Sequence, residues 1–159
     1  MPDPRAELLR SLLHGQRLAA LGTLHGGRPA VSMVPFALAP ARASVVLHVS
    51  RLATHTRDMS ACPEVGLMVM ATPDAATLPQ ALPRISLAGH ARPCAPEDAE
   101  YAAARAAYLE RFPESEPLFG FGDFSLFLVE PESVRLVGGF AQAWSLVRAQ
   151  YLQFMSDGA

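Results

Sequence analysis

The segment Ser50-Arg51-Leu52-Ala53-Thr54-His55-Thr56-Arg57-Asp58 concentrates more reactive side chains than any other stretch of the chain. It follows a valine-rich run and leads into a helical pattern, so a strand hands over to a helix here. A helix start offers unpaired N–H groups and the positive end of the macrodipole, which together attract anions. Helices favour acidic residues in the first turn. This one places Arg51, His55 and Arg57 near its start, with one acid, Asp58. Ser50 suits an N-cap, and the hydroxyls of Thr54 and Thr56 add donors. The chemistry that fits is phosphate binding. A solvated basic face with ordinary caps is the plainer alternative, and this segment alone leaves both open.

Other chemistries find less support. The five histidines, His14, His25, His48, His55 and His90, show no i,i+2 or i,i+4 pair, so metal-ligand spacing is absent. His14 reads as a helix-end residue beside Gly15, His25 as a turn residue, and His48 and His90 as satisfied structural histidines within strands. No G-x-S-x-G elbow occurs, which argues against a serine hydrolase. The run Gly120-Phe121-Gly122-Asp123-Phe124-Ser125 lacks the third glycine and the strand–helix setting of a dinucleotide fingerprint. Phe119, Phe121 and Phe124 are expected to seal one end of the fold. Glu97, Asp98 and Glu100 fall at a helix start, where the dipole explains them.

The elements that must position these groups follow from periodicity. Leu8, Leu9, Leu12 and Leu13 share one side of a helix over residues 5–14. Strands are expected over 18–24, 29–38 (interrupted at Pro35), 44–49, 65–70, 84–92, 124–129 and 134–137. His25-Gly26-Gly27-Arg28 is a hairpin turn, and Glu130-Pro131-Glu132-Ser133 is expected to be another. Helices are expected over 51–61 and 96–111. Trp144, Val147, Tyr151 and Phe154 recur at helical spacing and suit core or dimer packing. Short strands joined by hairpins, with no helix between the first three, argue an antiparallel barrel with helices packed outside. A parallel α/β sheet would need a helix after nearly every strand.

With 159 residues the chain suits a single domain spanning 1–159. Half of the residues are hydrophobic and 18% charged, a balance that excludes intrinsic disorder. A net charge of −2 supplies no basic field for nucleic acid. Mean hydropathy is +0.19, yet no run approaches the ~20 apolar residues of a membrane helix. The first ten residues lack a secretory h-region. Two distant cysteines, Cys62 and Cys94, form no disulfide framework and fit a reducing cytoplasm. The chain has no lysine or asparagine and only one isoleucine, a bias of bacterial base composition. Any bound anion must therefore meet arginine, histidine, hydroxyls or backbone N–H groups.

Four runs resemble, in order, the motifs of the FMN-binding split-barrel superfamily. They are Gly27-Arg28-Pro29-Ala30-Val31-Ser32-Met33-Val34-Pro35-Phe36; Leu52 to Met59 followed by Cys62-Pro63-Glu64-Val65; Arg84 to Ala91; and Arg135 to Ala143. The chain is most similar to pyridoxamine 5′-phosphate oxidase-related proteins, in the branch of the haem-utilisation HugZ-like enzymes. The resemblance implies a mainly β (α+β) fold, a six-stranded antiparallel split β-barrel with flanking helices. It implies a cytoplasmic homodimer with FMN at the interface, and a small FMN-dependent oxidoreductase acting on an unknown small molecule. By motif position, Ser50, Thr54, His55, Thr56 and Arg57 would hold the phosphate and ribityl region. Ser32, Met33, Val34 and Pro35 would line the isoalloxazine, with Arg84 at the phosphate or the ring edge. Gly139 and Phe140 would approach from the partner subunit. His55 stands where the vitamin oxidases carry a lysine, and their substrate-phosphate residues have no counterpart here. No catalytic acid, base or metal ligand is assigned. The alternatives are a haem-binding or haem-degrading protein on the same barrel and a non-enzymatic flavin-binding module. The extra domain that supplies haem-binding residues in several haem-utilisation relatives has no counterpart in these residues.

Overall fold

The structure is a computed structural model that describes residues 1–157. Helix α1 (Pro4–Gly15) starts as its sequence dictates. Asp3 accepts the Arg5 N–H at 2.8 Å, Pro4 occupies the first turn and Glu7 meets the dipole. Its Ala6, Leu9, Leu12 and Leu13 are buried. Strands β1 (Leu18–His25) and β2 (Arg28–Pro35) form a hairpin closed by Gly26 and Gly27, both at positive φ. A two-residue turn of this kind needs that conformation. β3 (Ala37–Leu38) and β4 (Val45–Ser50) follow. Then come α2 (Thr54–Ala61), β5 (Glu64–Met70), β6 (Arg84–Cys94) and α3 (Tyr101–Arg111). The chain ends in β7 (Phe124–Gly139), β8 (Gln142–Val147) and α4 (Arg148–Ser156).

All eight strands lie in one antiparallel sheet, ordered β2-β1-β5-β6-β7-β4-β3, with β8 also on β7. The expected six-stranded barrel is therefore an eight-stranded sheet, and no ladder joins β2 to β3 to close it. The difference lies in the C-terminal third. The predicted turn at 130–133 does not exist, because β7 runs through it as one sixteen-residue strand. A bulge absorbs the proline: Ala88 pairs with Ser133 and Gly89 with Pro131, leaving Glu132 as the extra residue. A Cβ on Gly89 would lie 2.3 Å from the Glu130 carbonyl oxygen, so only glycine fits opposite. Residues 142–147 form a strand and not the start of a helix. The helical spacing is genuine only for Tyr151 and Phe154, both buried in α4. α2 begins at Thr54, later than Arg51, and α3 at Tyr101, later than Pro96.

Strand alternation divides the sheet into two faces. One face carries Leu21, Phe36, Leu47, Ile85 and Leu136 into the main core, which α1, α4 and Met59 of α2 complete. On the other face, α3 covers one half. There Ala104, Tyr108 and Phe112 pack on Val46, Cys94, Leu126 and Leu128. The rest of that face carries no helix. Among the described residues, no helix is long and apolar enough to cross a membrane.

Candidate functional site

The core side of the β1–β2 hairpin meets α2 through polar contacts. Leu21 pairs with Ser32 in the ladder, so Ser32 faces the helix, and its Oγ lies 3.1 Å from His55 Nδ1. Two residues further along β1, Thr23 donates to Asp58 Oδ2 at 2.9 Å. At the strand end, His25 Nδ1 sits 2.7 Å from Asp58 Oδ1. The bond from His25, joined by that from Thr23, holds the buried Asp58 carboxyl below the usual range. This bonding is invisible in the sequence, because its members lie 33 and 35 residues apart on different elements.

The start of α2 is open. Its N-cap residue is Ala53, with no side-chain bond, and the first turn holds no acid. Ser50 does not cap it. The Ser50 hydroxyl accepts the Leu52 N–H and donates to Asp123, because the helix starts four residues after Ser50. Thr54 and Arg57 are exposed, and Thr56 is buried with its hydroxyl unpartnered. Burial pushes the His55 pKa below its ordinary value, against the pull of Asp58. The shift favours the neutral imidazole, and Arg57 is the fixed charge beside the exposed Thr54; the expected role of Thr56 is not met, because its hydroxyl is sealed from solvent.

The structure separates the other candidates from this corner. Val34 is buried in the core and Pro35 ends β2. Met33 points to the opposite face, 62% exposed. Gly139 and Phe140 form the β7–β8 hairpin, with Phe140 exposed. Arg84 pairs with Val137 and Met70 across that end of the sheet, on the face away from α2. One chain therefore brings Ser32, Thr54, His55, Thr56 and Arg57 together. It holds Met33, Arg84, Gly139 and Phe140 elsewhere.

That elsewhere is a second candidate site. On the uncovered face, Met33, Ala20 and Met68 lie in one cross-strand row. Pro35 pairs with Leu18 and Met70 with Arg84 in the next register positions. Two adjoining hollows of about 330 and 280 Å³ share Met68, Met70 and Pro73. Leu18 and Met33 line the first, and Leu82 and Arg84 the second. Arg84 Nη1 donates to the Leu82 carbonyl at 2.9 Å and to that of Gln80. Its Nη2 and Nε make no hydrogen bond among the described residues. The site can enclose a flat apolar body, offer it thioether sulfurs and hold an acidic group at one edge. Met68 and Met70 were readable as a pair on one face of β5 from the alternation of Glu64–Met70.

A third cluster explains itself. His90 Nε2 lies 2.5 Å from Glu64 and its Nδ1 2.8 Å from Glu132. The three are close enough to hold one ion, a grouping that sequence spacing did not reveal. Both ring nitrogens already face carboxylates, Glu64 foremost, which raises the His90 pKa. An imidazolium clamping β5, β6 and β7 together accounts for the cluster.

Comparison with known proteins decides the family. A family model described as "CREG, beta-barrel" matches residues 2–153. The chain belongs to the CREG beta-barrel family. This CREG barrel is 39% identical over 141 residues to the "non-canonical heme oxygenase HOZ, chloroplastic" of Arabidopsis thaliana, covering 87% of the chain and 41% of HOZ. It thus spans less than half of that curated relative. A solved heme binding protein from Mycobacterium smegmatis superposes with a TM-score of 0.84 at 32% identity, over 96% of this chain and 62% of that one. A putative pyridoxamine 5′-phosphate oxidase from Listeria innocua shares the fold, with a TM-score of 0.60 at 15% identity, over 84% and 98%. The split-barrel expectation holds at the level of fold. The likeness to the putative pyridoxamine 5′-phosphate oxidase is one of fold alone, and the relatives at 39% and 32% identity are named for haem.

Proposed function

We propose that this CREG barrel is a haem-binding domain that works as a dimer, with haem held on the methionine-lined face. The observation that carries the reading is a pair of adjoining hollows, one between Leu18, Met33, Met68 and Met70 and the next lined by Met68, Met70, Asp74 and Arg84. Haem is a flat apolar macrocycle with two carboxylates, so it needs an apolar bed and a cation. The face offers both. The names of the two relatives at 39% and 32% identity point the same way.

Leu18, Met33, Met68 and Met70 would bury the macrocycle and exclude water. The free Nη2 and Nε of Arg84 would pair with a propionate, the charge-assisted geometry arginine favours. The methionine thioethers are the iron-donor atoms this bed supplies, a ligand type known in haem proteins. Bound haem would contribute an iron centre for electron transfer or oxygen chemistry.

The second copy follows from the same surface. Val31 is 77% exposed, and Met33 and Leu18 lie bare near it on a face without a helix among the described residues. A contiguous apolar patch of this kind marks an interaction site on a soluble monomer. A partner packed there would enclose the hollows.

FMN remains a second reading because of one observation, the uncapped start of α2 beside Thr54 and Arg57. It fits less well than haem, since burial favours the neutral form of His55 and Arg84 lies across the sheet. Titration with haemin and, separately, with FMN and riboflavin tests both readings. A saturable Soret shift supports haem. Flavin bands that favour FMN over riboflavin, with no Soret shift, would transfer the site to flavin. Haem breakdown is then assayed with a reductant and oxygen.

A further inference from the structure

The covered half of the sheet face contains a chamber of about 200 Å³ that the haem reading does not use. In the ladder, His48 of β4 and Cys94 of β6 both pair with Leu126 of β7. Leu126 is thus the floor, and His48 and Cys94 rise on either side of it. Strands two apart lie about 9–10 Å from each other. That separation leaves room for a small ring between them.

The walls are aromatic. Phe119 stacks face to face on the His48 ring, with centroids 3.8 Å apart and planes 8° from parallel. Phe124 lies tilted at 5.1 Å and Tyr108 meets the ring edge-on at 5.5 Å. The Arg105 guanidinium sits over Phe119 at 4.9 Å. His48 is 7% exposed, and its Nδ1 has no hydrogen-bond partner. That nitrogen is sealed from solvent, whereas Nε2 is not sealed and makes no hydrogen bond among the described residues, so Nε2 is the atom a ligand in the chamber can reach.

We propose that this chamber binds an uncharged planar ring compound of one or two fused rings, hydrogen-bonded to His48. Size selects the ring count, because the chamber is smaller than the roughly 300–1,000 Å³ of pockets that take drug-sized molecules. Aromatic walls select a planar body. Among the described residues, no acid lines the chamber. Burial, aided by Arg105, pushes the His48 pKa down to about 4, so the imidazole is neutral at pH 7 and gives an anion no countercharge, while the Arg105 guanidinium is turned onto the Phe119 ring. Nε2 can donate or accept according to its tautomer, and phenol, which does both, suits either state. The proposal is independent of the haem reading, since the methionine bed occupies the other half of the face.

The test is a titration of the whole protein, labelled with 15N-histidine, with phenol and with indole. Benzoate and benzylammonium serve as charged controls. The expected result is a saturable shift of the His48 ring nitrogens with phenol, at a dissociation constant of ~1 mM or below, as a ligand of so few atoms allows. His48→Phe keeps the stack and removes the nitrogens, and it should weaken phenol binding roughly tenfold or more. No saturable shift of the His48 nitrogens in the wild-type protein overturns the proposal without recourse to any variant. Equal binding of benzoate overturns it too, as does unchanged phenol affinity in a folded His48→Phe protein.

Discussion

The two halves of one sheet face differ in how they treat the same strand alternation. Over β4, the start of β7 and the end of β6, outward residues such as Val46, Leu126 and Cys94 are sealed beneath α3. Over β2, β1 and β5, the equivalent positions carry Val31, Met33, Met68 and Met70 and remain bare. Among the described residues, a helix covers one half and none covers the other. An apolar face that its own chain leaves uncovered is a surface meant for something else, whereas a covered one serves stability. The bare half is also richer in methionine, whose flexible thioether side chain adapts to irregular partners.

Breaking each half should therefore break a different property. Leu126→Ala removes a floor residue from the covered half and should cost about 2–5 kcal/mol of folding stability, read by denaturant unfolding. Met33→Asp in the bare half should leave the unfolding midpoint of dilute protein nearly unchanged. It should dissociate the dimer in light scattering and weaken haemin binding by about 3–5 kcal/mol, the cost of an uncompensated charge in an apolar contact. A Met33→Asp protein that stays dimeric and binds haemin normally would move the site off this face. Arg84→Ala should weaken haemin by about 1–2 kcal/mol, the value of one exposed charge-assisted bond, and the loss should shrink with added salt. At the α2 corner, Ser32→Ala should cost only ~1 kcal/mol of stability and leave haemin affinity intact. Arg57→Ala should likewise spare haemin; a loss of FMN binding in that variant would favour flavin, and a loss of haemin binding would move the haem site to the α2 corner.

The covered half also sets a pH signature. The folded-state pKa of His48 is about 4, below its unfolded value of 6.5. The unfolded chain therefore takes up a proton first as pH falls. Stability from this residue is complete above pH 6.5 and declines as pH drops towards 4. Unfolding followed across that window should show the decline in the wild-type protein and a flatter profile in His48→Phe.

The N-terminal elements were legible because each carries a local signal. Asp3-Pro4 starts α1, Gly26-Gly27 turns the first hairpin, and valines mark β4. The resemblance assigned Ser32 and His55 to different parts of one cofactor, and the hydrogen-bond contact between them was not foreseen. The C-terminal third was misread where local signals conflict with pairing. Glu130-Pro131-Glu132-Ser133 has turn chemistry, yet the bulge opposite Gly89 keeps it in the strand. Gln142–Val147 alternates as a strand should, with Leu146 buried, but the Trp144–Val147–Tyr151 spacing hid it. His48 was expected to be satisfied, and its unpaired nitrogen follows from packing beneath Phe119, which no spacing encodes.

The long β7 has a bearing on how the molecule is made. Among the ladders, β4 and β3 join the remaining strands only through β7, which also pairs with β6 and β8. When the first 123 residues have left the ribosome, β6 and β4 still expose one unpaired edge each. Such edges invite pairing with other chains. Until β7 emerges, the nascent chain cannot join its two groups of strands into one sheet. Cotranslational folding should accordingly be abrupt and late, and a ribosome stalled before Phe124 should present a substrate for chaperones.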